Sequence, residues 1–286
     1  MPVRNPRTLI ISAALLLTAS ASVWAAPPQA GPATAAKPAA PKSKLDLPGL
    51  QKALESGDAA QMVSALDTIS KSGDPAGAPL VEALLGRGAD ATVLSRAIET
   101  LGVLGQPSSG AALAPYAQHR TPELRHAALR ALIATKSPLA GDVLRRALHG
   151  SDATQRAIAA RGLGELNVRA AVPELLKVLP KDVNEAAQSL GQLCVGAECE
   201  KFTGMLGHLR FETMESGMVP LLLRPQADVP DDVKLRLIEK LRRMATQPAN
   251  QLLQTALAKF PADGSAKVKL GLERALKGFS VTEESE

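Results

Sequence analysis

The sequence predicts an all-α fold, a right-handed α-α superhelix built from about six to seven helical hairpins. Helix-like segments recur with a period near 31 residues, and each period holds two amphipathic helices. Apolar residues make up 45% of the chain but aromatic residues only 2%. Alanine and leucine suit close helix packing, and stacked hairpins need no deep globular centre. We therefore expect each hairpin to bury its apolar face against its neighbours.

The first 25 residues have the pattern of a cleavable signal peptide. Arg4 and Arg7 form a short basic region, an apolar segment follows, and small residues surround a cleavage point after Ala25 or Ala26. The apolar segment is shorter than the ~20 residues that a membrane span needs. Residues 1–25 therefore predict export to the periplasm, with secretion from the cell as the alternative.

The charge balance argues against a nucleic-acid partner. Removing the signal peptide removes two arginines and no acidic residue, so the formal net charge falls from +5 to +3. This excess is small for a protein that neutralises phosphates. Aromatic side chains on which bases could stack are nearly absent. The sequence predicts no nucleic-acid binding.

Both ends of the mature chain differ in composition from the part between them. Residues 26–46 hold five prolines among alanine, lysine and serine, without an apolar period. Such a segment is typical of a flexible linker. Residues 280–286, SVTEESE, form a short acidic tail.

Between these ends, four helix ends can be aligned on leucines. Leu101, Leu132, Leu163 and Leu190 are spaced 31, 31 and 27 residues apart, and Ile69 lies 32 residues before the first. A short turn and another apolar helix follow each of them. Residues 47–199 are therefore interpreted as regular repeats.

The Leu-Gly-x-Leu motif, which begins at Leu101, Leu163 and Leu190, has a physical explanation. The leucines fall three residues apart on one helix face, and the glycine allows a neighbouring helix to approach closely. Gly73, Gly105 and Asn167 are suited to end the helix. Pro79 and Pro173 lie in the first turn of the next helix, where a missing N–H is tolerated. The sequence thus marks both ends of each hairpin turn.

One segment carries a family resemblance. RAIAARGLGELNVRAAVPELLKVL, residues 156–179, resembles the short HEAT-like repeat of phycobilisome lyases and of many bacterial HEAT-repeat proteins. The resemblance extends over residues 58–195. It implies a HEAT/armadillo-type solenoid in which the second helix of each repeat lines the concave surface. The patterns of tetratricopeptide and ankyrin repeats are missing.

Beyond Cys199 the repeat period becomes weaker. We interpret residues 200–279 as degenerate repeats that continue and cap the stack, with a separate C-terminal domain as the alternative. Helices are predicted near residues 200–209, 212–223, 230–245, 247–259 and 265–278.

No catalytic or cofactor motif is recognised in the sequence. Cys194 and Cys199 favour a disulfide over free thiols or a metal site, since the chain is predicted to be exported and Gly196 would let the chain fold back. The four histidines are scattered, and none follows a zinc-ligand spacing. HEAT-type hydroxylases bind iron through His-Glu dipeptides, which this chain lacks. The sequence predicts a protein that is not an enzyme and binds no cofactor or metal.

The candidate partner-binding residues lie on the second helix of successive repeats. By the HEAT-like resemblance they face the concave groove, and their charge changes from acidic in the first repeats to basic in the middle. The alternative is that they are solvated or form ladders between repeats with Asp152 and Glu123. The candidates are Asp67, Glu99, Arg125, His126, Arg130, Arg156, Arg161 and Gln188.

A second basic feature, the stripe of Arg236, Lys240 and Arg243, lies on one predicted helix face. A solvated outer surface is the default interpretation, and contact with anionic lipid or another polyanion is the alternative hypothesis.

The sequence thus favours an exported, non-catalytic scaffold that binds another protein or peptide, with an acidic segment, in the solenoid groove. Two alternatives remain open at this point. One is a structural element held near a membrane or cell-wall polymer, and the other is a regulatory subunit of an enzyme complex.

Overall fold

A computed structural model describes residues 45–283, with side chains as far as Lys277. The predicted signal peptide, nearly all of the 26–46 linker and the last three residues of the acidic tail lie outside the described residues. Within residues 45–283 the chain forms fifteen α-helices and no β-strand. The predicted α-solenoid is confirmed.

The helices alternate between two rows. The odd-numbered helices form the first row: α1 (Leu47–Leu54), α3 (Ala78–Arg87), α5 (Gly110–Leu113), α7 (Ala140–Ala147), α9 (Val172–Val178), α11 (Ala197–Gly204), α13 (Asp231–Met244) and α15 (Ala266–Glu283). The even-numbered helices form the second row: α2 (Ala59–Ser72), α4 (Ala91–Leu104), α6 (Pro122–Thr135), α8 (Ala153–Glu165), α10 (Asn184–Leu193), α12 (Phe211–Leu223) and α14 (Gln247–Ala258). Short 3-10 turns extend α3, α5 and α9.

The second row determines how the stack curves. From α2 to α12, each second-row helix packs directly on the next, whereas the first-row helices from α1 to α11 contact one another much less. Helices that lie closer together occupy the shorter arc of a curved stack. The second-row helices therefore line the inner side over this part of the solenoid.

The residues that defined the repeat are the centre of the core. Ile69, Leu101, Leu132, Leu163 and Leu190 are each 0% exposed, and each lies on a second-row helix. Burying one leucine or isoleucine side chain contributes ~1.5–3 kcal/mol. We call these five residues the anchors. Since each anchor is buried between neighbouring repeats, stability comes from stacking.

The chain reverses between the two helices of adjacent repeats through one left-handed residue. Gly73 and Gly105 have φ of 63°, and Asn167 has φ of 54°. Lys136 takes the equivalent position with φ of 50° although it has a side chain. The turn geometry is thus kept where the sequence does not supply glycine or asparagine.

The closest helix approach in the second row joins α10 and α12. A Cβ atom at Gly191 would overlap the backbone of Gly217, and one at Gly217 would overlap the carbonyl oxygen of Ala187. Both helix backbones come together because neither glycine carries a side chain. The Leu-Gly-x-Leu motif at Leu190 therefore acts as the sequence predicts.

The C-terminal helices continue both rows. Four of the five begin and end within a few residues of the predicted bounds except at the end of α15, but the helix expected at 200–209 occupies Ala197–Gly204 instead. Gly196, with φ of 51°, lets the chain turn and start α11 early, and Gly207, with φ of 90°, lies in the turn that follows. The last helix, α15, extends to Glu283 and so includes the first part of segment 280–286.

Candidate partner-binding surface of the second-row helices

Five side chains on the inner row form what we call the middle column: Asp67, Glu99, Arg130, Arg161 and Gln188. Each lies two residues before a buried anchor on α2, α4, α6, α8 or α10. Two residues correspond to about 200° of rotation around a helix. The column therefore points away from the core, and all its members except the half-buried Asp67 are exposed.

The acidic start of the middle column is partly neutralised. Arg96 donates from Nε to Asp67 Oδ1 at 2.5 Å and from Nη1 to Glu99 Oε2 at 3.2 Å. The hydrogen bond to Asp67 is the largest cause of the raised pKa of Arg96. One guanidinium thus bridges α2 and α4 and balances one of the two carboxylates.

The middle of the column carries two accessible cations. Arg130 is exposed, and among the described residues no side chain or carbonyl pairs with its guanidinium. Arg161 on the next second-row helix is 59% exposed and lies 3.6 Å from Glu185. An exposed pair at this distance is weak. Both guanidinium groups are therefore available to a partner.

The first turns of α6 and α8 hold a different set of charges. Asp152 Oδ2 accepts hydrogen bonds from Arg125 Nη2 at 3.1 Å and lies 2.6 Å from His126 Nε2. Its other oxygen accepts the amides of Thr154 and Gln155 and so caps α8. Asp152 therefore joins two repeats.

The same contacts determine how Asp152 titrates. Partial burial by itself raises the pKa of Asp152, but hydrogen bonds from His126, the Gln155 amide and Arg125 outweigh it. They lower the pKa of this carboxyl to about 2. The carboxylate is stabilised in its charged form.

Arg125 and Arg156 occupy equivalent positions and make the same contact with the preceding loop, although only Arg125 also contacts Gln155 and Asp152. Arg125 Nη1 donates to the carbonyls of His119 and Arg120, and Arg156 Nη1 donates to those of Gly150 and Ser151. Each guanidinium thus holds the loop before its own helix. Because Arg125, His126 and Arg156 are partly buried and already engaged in the fold, they offer fewer groups to a ligand than exposed side chains do, and their contact with a partner stays a prediction.

A shallow depression lies beside the acidic part of the column. Its volume is about 500 Å³, and it is open to solvent. Side chains from three successive second-row helices and the turn before α6 line it, among them Val63, Ser95, Glu99, Glu123 and Leu124. The depression adds apolar surface to an otherwise polar column.

The structure joins Cys194 and Cys199 in a disulfide, with their Cα atoms 5.1 Å apart. Both residues are 0% exposed. Gly196 between them donates its amide to the Asp228 carbonyl at 3.0 Å, and Arg224 donates to the Cys194 carbonyl. The bridge closes the turn between α10 and α11 against the loop that follows α12.

The basic stripe on α13 is paired internally. Arg236 contacts Asp232 at 2.7 Å and Glu200 at 2.5 Å. Arg243 and Arg242 share Glu239, and their hydrogen bonds lower the pKa of that carboxyl to about 2. The stripe therefore offers less free positive charge than the sequence suggested.

Lys240, the third member of the stripe, donates to the carbonyls of Thr203 and Gly204 at 3.3 and 3.4 Å. An ammonium at the C-terminal end of α11 is favourably placed. Lys240 thus holds the first-row helices α11 and α13 together.

Within residues 45–283, no cluster of three or more His, Cys, Asp or Glu residues is arranged to hold a metal ion. In the same part of the chain, no helix is both long and apolar enough to cross a membrane.

Sequence reasoning missed two charged residues of consequence. Arg96, which bridges the first two column acids, falls outside the position that defined the column. Lys234 on α13 is 2% exposed, although its type and spacing suggest a surface residue. No sequence signal separates a buried lysine from an exposed one on such a basic helix.

Two family models match the chain. Residues 78–157 match the model of HEAT repeats, and residues 155–179 match the model of the PBS lyase HEAT-like repeat. The second match covers the segment on which the resemblance was based. No curated protein matches the sequence.

Solved structures similar to this chain include natural and engineered proteins. The complex of CpcE and CpcF of phycocyanin lyase from Nostoc sp. PCC7120 is 17% identical, with a TM-score of 0.47, over 87% of this chain and 100% of that chain. An engineered protein has the same TM-score of 0.47 and identity of 17%, over 82% of this chain and 78% of that chain. Human deoxyhypusine hydroxylase in complex with glycerol is 15% identical, with a TM-score of 0.38, over 82% and 96%.

The two-row helical architecture agrees with these family matches. Because buried anchors recur at the spacing of the matched repeats, the same packing extends on both sides of residues 78–179. Over residues 78–179 the chain is therefore similar to HEAT repeats, one of them of the PBS lyase type.

Proposed function

We propose that this chain is an exported, non-catalytic scaffold that binds a segment of another protein or peptide along the middle column. One observation carries the proposal. Arg130 and Arg161 are exposed at equivalent positions of adjacent second-row helices, whereas Arg96, Arg125 and Arg156 are engaged within the fold. Accessible cations on the inner surface are what an acidic segment would require.

The chemistry of the partner follows from these two cations. A guanidinium donates two parallel hydrogen bonds to one carboxylate. Exposed ion pairs contribute only ~0–1 kcal/mol each. The partner is therefore expected to contact several repeats, with acidic residues at Arg130 and Arg161 and further contacts on either side.

The alternatives differ in how well the charges support them. Attachment to an anionic membrane or cell-wall polymer would need the α13 stripe, whose arginines are paired with acids. A regulatory subunit would use the same middle column, since an enzyme is one class of protein partner. The proposed binding therefore includes the regulatory-subunit alternative, whereas the paired charges on α13 disfavour attachment to a membrane or cell-wall polymer.

Site-directed photocrosslinking in intact cells tests the proposal. A photoreactive amino acid at Gln188, an exposed column position, should capture a discrete protein with the wild-type background. The Arg130→Glu/Arg161→Glu background should lose that species. The matched control is Arg146→Glu/Arg169→Glu, which makes the same charge change at exposed positions outside the second-row helices, and it should retain capture.

Other outcomes decide against the proposal. Loss of capture in both double variants would indicate a general charge effect rather than binding at the column. Retention in both would exclude Arg130 and Arg161 from the contact. Export is tested separately by fractionation, which should recover a processed chain in the periplasm.

A further inference from the structure

A cavity of about 300 Å³ lies near the C-terminal end of the solenoid, away from the middle column. The loop after α12, the first turn of α13 and the loop between α14 and α15 surround it. Leu223, Phe260 and Pro261 contribute apolar walls, and Gln226 is exposed beside it. The cavity thus combines apolar walls on part of its surface with polar groups and access from solvent.

Lys234 lines this cavity and is 2% exposed. Its ammonium donates one hydrogen bond, to the carbonyl of Arg224. Within the described part of the chain, no carboxylate lies within ion-pair distance of it. A buried ammonium has three donors and is costly without an anionic partner.

The neighbouring acidic side chains are engaged elsewhere. Asp228 pairs with Arg224 at 3.2 Å. Asp231 accepts a hydrogen bond from Ser265 at 2.5 Å, and although its other oxygen is buried without a partner, Asp231 does not line the cavity. Asp263 lines the cavity but is exposed. None of the three therefore completes an ion pair with Lys234.

We propose that this cavity binds a small organic carboxylate, whose oxygens accept hydrogen bonds from Lys234 while its apolar part lies against Leu223, Phe260 and Pro261. The geometry supplies one buried cation and apolar walls, which is the complement of an amphipathic monocarboxylate. Burial lowers the pKa of the Lys234 amine, and a bound anion would favour its charged form.

Hexanoate is the probe, titrated calorimetrically into the full chain with hexanamide as the matched neutral compound. We expect saturable one-to-one binding of hexanoate and at least tenfold weaker binding of hexanamide. Lys234→Met should weaken hexanoate binding at least tenfold and remove the preference over the amide. Because this variant deletes a buried charge, its thermal unfolding temperature should not fall by more than a few degrees.

A second variant keeps the proposal testable if Lys234→Met fails to fold. Gln226→Trp changes an exposed residue, leaves Lys234 in place and fills the entrance, so it should weaken hexanoate binding with unchanged stability. The natural ligand could be a free carboxylic acid or the C-terminal carboxylate of a peptide. N-acetyl-leucine, which resembles a peptide C-terminus, distinguishes them, because tighter binding than that of hexanoate would indicate a peptide. Equal binding of hexanoate and hexanamide, or unchanged binding in both variants, would overturn the proposal.

Discussion

Helices α6 and α8 each carry one arginine in the first turn and one in a middle turn, at the same spacing, but the two arginines have different roles. Arg125 and Arg156, 31 residues apart, hold loop carbonyls. Arg130 and Arg161, also 31 residues apart, are exposed. Five residues along each helix therefore separate an arginine that maintains the repeat from one that a partner can reach.

The difference has a simple cause. Loops between the two helix rows lie beside the first turns, so loop carbonyls come within reach of both arginines, and the Asp152 carboxylate within reach of Arg125. The middle turns have only the neighbouring second-row helices beside them, whose backbone groups are already hydrogen-bonded. An inner-surface charge remains available where the fold supplies no partner for it.

Among substitutions that test this difference, Asp152→Ala is expected to have the largest effect on the free energy of unfolding. The substitution removes the cap of α8 and the carboxylate that Arg125 and His126 share. We expect a loss of about 2–3 kcal/mol in the free energy of unfolding. Urea unfolding followed by circular dichroism measures it. Asp142→Ala, which removes an exposed carboxylate 3.8 Å from Arg145, is the control and should cost less than about 0.5 kcal/mol.

Arg156→Ala should have the next largest effect. It leaves the carbonyls of Gly150 and Ser151 without their donor and loosens the loop before α8. The expected destabilisation is about 1–2 kcal/mol. Hydrogen exchange should show faster exchange confined to this loop and the start of α8. Unchanged protection there would show that the guanidinium does not hold the loop.

Acid should weaken the first-turn contacts selectively. The folded-state pKa of Asp152, about 2, lies below its ordinary value of 3.8, so its contribution is present above pH 3.8 and is lost as pH falls toward 2. The stability gap between wild type and Asp152→Asn should therefore shrink over this range, by on the order of 1 kcal/mol, since the carboxylate is partly solvated. A gap that is constant with pH would contradict the assigned pKa.

The smallest effect on stability is expected from Arg130→Ala/Arg161→Ala. Neither side chain makes a strong contact within the fold, so the free energy of unfolding should change by no more than about 0.5 kcal/mol. The same urea titration checks this. A loss of free energy of unfolding as large as that of Arg156→Ala would show that Arg130 and Arg161 also stabilise the fold, and would contradict the proposed difference between the two pairs of arginines.

Particular residues show which features of the fold and of the candidate site could be predicted from the sequence. Leu101, Leu132 and Leu163 located the second-row helices because an anchor buried in every repeat must recur with the repeat. The bounds of α11 were less accurate because the sequence does not show that Gly196 takes a backbone conformation with positive φ and starts the helix early, or that the turn containing Gly207 follows it. Arg125 was included among the candidate partner-binding residues because the repeat spacing does not reveal its contacts with the preceding loop and with Asp152.

The sequence by itself determined the α-solenoid, its helical pairs and the residues that face its core, because periodic burial leaves a periodic pattern of apolar side chains. Only the tertiary structure decided which charges are free. Asp152 reaches Arg125 and His126 across a repeat boundary, Glu200 reaches Arg236 across two first-row helices, and Lys234 is buried beside a cavity. A charge is available or engaged according to distances of a few ångströms between segments far apart in the chain, and no local pattern records those distances.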